Sequence, residues 1–342
     1  MDHCFAPSEL LALSAEPNWA QEDPERRCWL AVQPAAEPDL DPRDTARLRA
    51  WLTRQPVPVI GIAAQGPSPW ADAVDLMVDG PAGLDSVTNR IERFPHASAV
   101  LAQVLRTCGQ LDVASALVVE SLAYATLQGG AEFARWLAGQ PQRPSHAVPD
   151  EDIVLLRRQG DELHVVLNSP GNRNALSAAM RDALANAFRF AAQDGSIAHV
   201  DVSAKGPCFS AGGDLTEFGT MTDLAEAHRI RMLRMPAGYL AACRDRCTFR
   251  LHGPCIGAGI ELPAFAARLV AKPDATFRLP EVGMGLIPGA GGCVSIPRRI
   301  GRQRTAYMAI LGEAIDAEQA LAWGLIDAIA EEDSRSGPST EL

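Results

Sequence analysis

Hydrophobic and polar positions along the chain follow two periods. V-P-V-I-G-I-A-A (57–64) is a short continuous apolar run and predicts a buried strand. Before it, D-P-R-D-T-A-R-L-R-A-W-L (41–52) reads as a helix, with Asp41 as N-cap and Pro42 at the first helical position. A strand near C-W-L-A-V-Q (28–33) completes what this succession predicts, a small α/β unit. The rest of residues 1–45 is rich in Pro, Glu and Asp, shows no clear period and is expected to be loops. From Ser98 to Leu137 the pattern turns helical, through V-L-A-Q-V-L-R-T-C (100–108) and L-D-V-A-S-A-L-V-V-E-S-L-A-Y-A-T-L-Q (111–128). Gly129-Gly130 break it, and A-E-F-A-R-W-L-A (131–138) resumes it.

G-Q-P-Q-R-P-S-H-A-V-P-D-E-D (139–152) is polar and proline-rich, the best domain boundary in the chain. Beyond it, I-V-L-L-R-R-Q-G-D-E-L-H-V-V-L-N (153–168) predicts a hairpin turning at Gly160-Asp161. Ser177–Ala192 has helical spacing, H-V-D-V-S-A (199–204) reads as a strand, and 223–242 as a long helix kinked at Pro236. T-F-R-L-H-G (248–253) alternates like a strand, and a second strand-to-helix cycle follows through 269–279. There is no long repeat of fixed period.

Composition narrows the class. With 47% hydrophobic and 21% charged residues, the 342-residue chain is an ordinary globular protein long enough for two units. A net charge of −11 argues against a nucleic-acid surface, though a local arginine cluster can still hold an anionic small ligand. The eight cysteines form no C-x-x-C pair and complete no zinc pattern, so no metal is expected and buried thiols of a reducing cytoplasm are. Neither a signal peptide nor a membrane span is expected.

Three segments combine backbone-opening glycines with a specific polar residue: F-S-A-G-G-D-L (209–215), G-P-C-I-G-A-G-I-E-L (253–262) and L-P-E-V-G-M-G-L-I-P-G-A-G-G (279–292). With L-N-S-P-G-N-R-N-A-L (167–176), they resemble the four signature regions of the enoyl-CoA hydratase (crotonase) superfamily in order and spacing, across about 150–330. The resemblance implies an α/β fold, the ββα superhelix of the ClpP/crotonase type. Residues 1–145 then form an N-terminal α/β-plus-helical extension and 150–342 the crotonase-like domain. The C-terminus is short for the family, with thirteen residues after Ile329, and the helices at 98–138 are expected to replace the missing cover.

Crotonase-type chemistry passes through a thioester enolate, so negative charge develops on the carbonyl oxygen. Two preset backbone N–H groups in a dry site stabilise that oxygen best. They are reachable only where side chains are absent or tiny, which accounts for the glycines. By the resemblance the donors are the amides of Gly213 and Ala258, the latter at the start of a helix whose dipole adds positive potential. The same resemblance makes Glu261 and Glu281 the catalytic pair, Glu261 activating water and Glu281 handling the proton at the α carbon. Their proximity is expected to raise at least one pKa.

Coenzyme A is expected on Ala211, Asp214, Leu215, Thr216 and Gly257, with Arg173 as a phosphate partner and P-R-R-I-G-R-Q-R (297–304) as a weaker one. The acyl pocket is expected along E-F-G-T-M-T (217–222) and the helix with Arg231, Met232 and Met235, whose Met and Phe side chains suit an apolar acyl group. Arg278 is bulkier than the residue often found there and is expected to narrow the site.

The implied function is hydration of a 2-enoyl-CoA in fatty acid metabolism, without a cofactor, since coenzyme A is part of the substrate. Enoyl-CoA isomerisation, acyl-CoA thioester hydrolysis and a non-catalytic acyl-CoA-binding scaffold stay open. The family also implies a cytoplasmic homo-trimer or dimer of trimers.

Overall fold

The structure is a computed structural model and describes residues 4–15, 28–33, 40–63, 70, 72–141 and 152–330. In its N-terminal region, strands β1 (Cys4–Phe5), β2 (Leu30–Val32), β3 (Val59–Ile62) and β4 (Leu76–Val78) form a parallel sheet in that order. Helices α1 (Pro7–Leu13) and α2 (Pro42–Leu52) connect its first strands. Asp41 caps α2 as expected, its side chain accepting the amides of Arg43 and Asp44. Leu10, Leu48, Leu52, Val59 and Val74 close one core under this sheet.

Helices α3 (Gly80–Arg93), α4 (Pro95–Cys108), α5 (Val113–Gln128) and α6 (Ala131–Ala138) follow. The first of these, like β1 and α1, was not expected from the sequence, although Leu84, Val87 and Ile91 keep helical spacing along it. Asp112 caps α5, and Gly129-Gly130 separate α5 from α6 as the pattern predicted.

The next strands are the hairpin β5 (Val154–Gln159) and β6 (Glu162–Leu167), turning at Gly160-Asp161. Along β6, Leu163, Val165 and Leu167 point inward, the period of two seen in the sequence. Helix α7 (Ala178–Gln193), capped by Ser177, buries Met180, Leu184 and Phe188. Strand β7 (His199–Ala204) precedes α8 (Leu224–Arg234) and α9 (Pro236–Cys243). The expected kinked helix is therefore two helices, because Pro236 lacks the N–H that would continue α8 and instead starts α9.

The chain continues through β8 (Cys247–Leu251), β9 (Pro254–Ile256), α10 (Ala258–Glu261), β10 (Arg268–Ala271) and β11 (Thr276–Arg278). It ends, among the described residues, in α11 (Gly292–Leu311, interrupted at Gly301), β12 (Ile315–Asp316), α12 (Ala317–Trp323) and β13 (Ala328–Ile329). A six-stranded sheet has the order β13-β10-β8-β7-β6-β5, parallel except at the β5–β6 hairpin, and a three-stranded sheet has the order β12-β11-β9.

The chain divides into two compact units that are interleaved in sequence. The first comprises Met1–Arg143, Phe218–Leu233 and Leu279–Glu313; the second comprises Pro144–Glu217, Arg234–Arg278 and Ala314–Leu342. The boundary expected between 145 and 150 lies in 142–151, outside the described residues, as does the C-terminal tail from 331. Among the described residues no helix is long and apolar enough to cross a membrane, and no group of three or more His, Cys, Asp or Glu could hold a metal ion.

A buried carboxylate ties the first unit together. Asp75, 2% exposed, accepts the Val59 amide (2.8 Å), Arg106 Nε (2.7 Å) and Arg302 Nη1 (3.1 Å). Arg106 also donates to the carbonyls of Gln55 and Val57. Sheet, α4 and α11 thus share one charge cluster, and removing its anion strands two guanidinium groups. Asp75→Ala is expected to destabilise the first unit by about 3–5 kcal/mol, read as a shift in its urea unfolding midpoint.

Candidate active site

In the second unit the segments 209–213 and 254–259 run side by side. The Phe209 amide donates to the His252 carbonyl (2.8 Å), and the Ile256 amide to the Ser210 carbonyl (3.0 Å). Leu176 pairs with the same stretch, donating to the Gly212 carbonyl (2.7 Å) and accepting from Asp214 (3.3 Å). At two positions the spacing leaves no room for a side chain. A Cβ on Gly212 would lie 2.7 Å from the Ile256 carbonyl oxygen, and one on Gly259 would lie 2.5 Å from that of Ser210. Between them Gly257 adopts φ 50° and ψ −120°, a conformation that L side chains resist.

This arrangement frees the two amides that matter. Among the described residues, neither the Gly213 nor the Ala258 N–H donates to a protein acceptor. The Gly212 amide is taken by Ser210 Oγ (3.2 Å) and that of Gly257 by the Arg278 carbonyl (2.8 Å). Ala258 is 7% exposed and, with Gly259, Leu262, Leu176, Met180 and Phe249, lines a small apolar cavity. A donor in such surroundings is not competed for by water.

The helix dipole expected behind Ala258 is a correction. α10 is a single turn, because Pro263 cannot donate to it, and the chain passes into a 3-10 turn over Pro263–Phe265. The local amide itself, rather than a long macrodipole, supplies the positive potential.

Two polar residues that the sequence reading passed over hold the first donor segment. Asn174, 1% exposed, takes the Ser169 amide on Oδ1 (2.8 Å) and donates from Nδ2 to the carbonyls of Lys205 (2.8 Å) and Cys208 (3.2 Å). The Ser210 hydroxyl donates to the Asn174 carbonyl (2.8 Å) while accepting from Gly212. Arg173 and Asn174 both lie in the left-handed region, at φ 58° and 52°, a strain that this network offsets. The signal available in sequence was the pair of Asn and Ser beside glycines, types that satisfy irregular backbone.

The predicted coenzyme A residues fall as follows. The Ala211 amide donates to the Arg173 carbonyl (3.0 Å), so these two share one backbone contact, and the Arg173 side chain is exposed. Asp214 is buried and turns inward on its own loop, Oδ1 accepting the Thr216 amide (2.9 Å) and hydroxyl (2.7 Å). Leu215 and Thr216 are half-buried.

In the 297–304 run, Arg298 donates to the Val294 (2.5 Å) and Leu111 (2.9 Å) carbonyls and Arg302 to Asp75, so these two serve packing rather than phosphate. The Arg278 side chain is exposed, and the residue's carbonyl orders Gly257. Met221 and Met232 are about two-fifths exposed and Met235 is half-buried, while Phe218 packs on Phe133 and Trp136 of α6.

Both predicted carboxylates are buried. Glu261 is 2% exposed at the end of α10, its amide bonded to the Gly257 carbonyl (2.9 Å), in the second unit. Glu281 is 9% exposed and begins a 3-10 turn, Glu281–Met284, in the first unit.

Comparison with known proteins gives the family. The family model described as enoyl-CoA hydratase/isomerase matches residues 159–336, just over half of the chain, and the chain belongs to that family. Its segment resembles the 2,3-dehydroadipyl-CoA hydratase of Escherichia coli, 35% identical over 173 residues, covering 51% of this chain and 67% of that protein. A probable mitochondrial enoyl-CoA hydratase of Arabidopsis thaliana is 32% identical over 184 residues, covering 52% of this chain and 61% of its own. Mevalonyl-coenzyme A hydratase of Beauveria bassiana is 31% identical over 194 residues, covering 54% and 69% respectively. Among solved structures, the enoyl-CoA hydratase of Thermoplasma volcanium is 32% identical, with a TM-score of 0.48, covering 53% of this chain and 72% of that one. The chain thus spans about two thirds of the length of the relatives it matches, and 1–158 lies outside the family match.

The close approach at Gly259 makes a direct prediction. Gly259→Ala drives a methyl group into the Ser210 carbonyl and displaces the neighbouring Ala258 donor. Turnover is expected to fall about 10²-fold or more, with thermal unfolding lowered by the equivalent of about 1–3 kcal/mol.

Proposed function

We propose that the chain is an enoyl-CoA hydratase, adding water across the 2,3 double bond of an acyl-CoA thioester. One observation carries the reading: two main-chain amides without protein acceptors among the described residues, on segments that leave no room for a Cβ at Gly212 and Gly259. In this role Gly213 and Ala258 donate to the thioester oxygen as it gains charge. Glu261 takes a proton from water and the resulting hydroxide attacks the β carbon. Glu281 gives the proton that the α carbon of the enolate requires, so atoms and charge balance over the step. The backbone of Ala211–Thr216 and Gly257 borders the coenzyme A moiety, with the exposed Arg173 facing a phosphate. The acidic net charge (−11) makes such a local cation the natural anchor for a polyanionic substrate.

Family membership and relatives named as hydratases favour hydration. A relative in Mycosarcoma maydis is named an isomerase/hydratase, which favours double-bond isomerisation as the second reading. Crotonyl-CoA and a 3-enoyl-CoA, assayed side by side, separate the two. Glu261→Gln and Glu281→Gln are each expected to lower crotonyl-CoA hydration about 10²-fold or more. Full turnover in both variants sinks the hydratase mechanism. The family also motivates a homo-trimer or a dimer of trimers; light scattering is expected to give three or six times the chain mass, and a monomer overturns it.

A further inference from the structure

The segment that carries Glu281 is fitted to the N-terminal helices, glycine by glycine, within the first unit. A Cβ on Gly285, the left-handed residue (φ 75°) ending the Glu281 turn, would lie 2.5 Å from the Phe133 amide nitrogen and 2.6 Å from the Glu132 carbonyl carbon. One on Gly289 would run into the Tyr124 ring, and one on Gly283 into the Arg90 guanidinium. Three of the openings in L-P-E-V-G-M-G-L-I-P-G are thus filled by residues of α3, α5 and α6.

The fourth contact is a cap. α11 begins after Gly291, which has no side chain to satisfy the amides of the first turn. Glu120 of α5 does so from 171 residues away, Oε1 accepting from Gly291 (2.7 Å) and Oε2 from Cys293 (2.8 Å). Glu120 is 2% exposed, the one acid in an otherwise apolar and neutral helix. A carboxylate is buried in such a place at a cost, and two charge-assisted bonds to a helix N-terminus offset it.

The surrounding side chains lock α5 in register. Arg231 of α8 lies over the Tyr124 ring (4.7 Å) and donates to Ser121 Oγ (3.1 Å) and Gln128 Oε1 (3.0 Å). Glu132 in turn caps α4 through the amides of His96 (2.8 Å) and Ala97 (3.0 Å), fixing the α6 end that meets Gly285.

We propose that α5 and α6 position the catalytic carboxylate Glu281, with Glu120 as the positioning residue that anchors the far end of its segment. The inference rests on Glu281 acting in the hydratase reading above, and it makes residues 1–141 part of the catalytic apparatus rather than an appended domain. Glu120→Gln tests it in the full-length chain, since an amide keeps the size but sets its NH2 against one of the two main-chain donors.

Amide exchange over 285–295 is expected to rise about tenfold or more, with the rest of the first unit unchanged. Hydration of crotonyl-CoA is expected to lose about tenfold in kcat, with KM within twofold. On the Glu281→Gln background the same substitution is expected to cost nothing further, because both act through one carboxylate. If Glu120→Gln does not fold, Tyr124→Ala, which empties the space over Gly289, is read in the same way. Unchanged exchange, unchanged kcat in folded protein, or an equal loss on the Glu281→Gln background overturns the proposal. A wild-type chain without hydration overturns the hydratase reading instead, and the exchange measurement still decides the clasp.

Discussion

Main chain packed on main chain is the constraint from which the second unit follows. Residues 209–213 and 254–259 approach so closely that a single methyl at Gly212 or Gly259 would collide with a carbonyl oxygen. That closeness orders each segment by hydrogen bonds to the other, yet it strands the amides of Gly213 and Ala258 facing outward from the contact. Unsatisfied donors are ordinarily a cost of folding. Here the surrounding network of Asn174 and Ser210 offsets the cost, and in the proposed reaction the two donors hold the thioester oxyanion.

The first unit answers a different difficulty. Five of the ten residues in 283–292 are glycines, which leaves Leu286 and Ile287 to bury apolar surface and much of the backbone without side chains to hold its shape. The N-terminal helices supply the missing atoms: rings, a guanidinium, the backbone of α6 and the carboxylate of Glu120. The interleaving of the unit, which joins Met1–Arg143 to 218–233 and 279–313, is the large-scale expression of these contacts. Within this unit, helices α3, α5 and α6 pack directly on residues of the family-matched segment.

Much of this was legible beforehand wherever the information is local. The hairpin at Gly160-Asp161, the cap Asp41, and the helical spacing of Leu184 and Phe188 are written in a few neighbouring residues each. The four glycine-bearing segments were visible in order, and with them the family. Not read in advance were helix α3, although its Leu84, Val87 and Ile91 keep helical spacing, and the direction of long amphipathic side chains. Arg231 and Met232 adjoin in sequence, but Arg231 turns in to Ser121 and Gln128 while Met232 stays exposed, the reverse of a hydrophobicity ranking.

By itself, then, the amino-acid order determined which elements form and where the backbone must lie open, since propensity, capping and the absence of a Cβ act within a turn or two of chain. Only the tertiary structure decided which partner fills each opening and which acid is buried with a purpose. Glu120 reads in sequence as a lone charge on an apolar helix, and its meaning lies at Gly291 and Cys293. A buried carboxylate is stable only beside donors, and donors 171 residues distant are brought to it by the packing of whole helices, which no local pattern encodes.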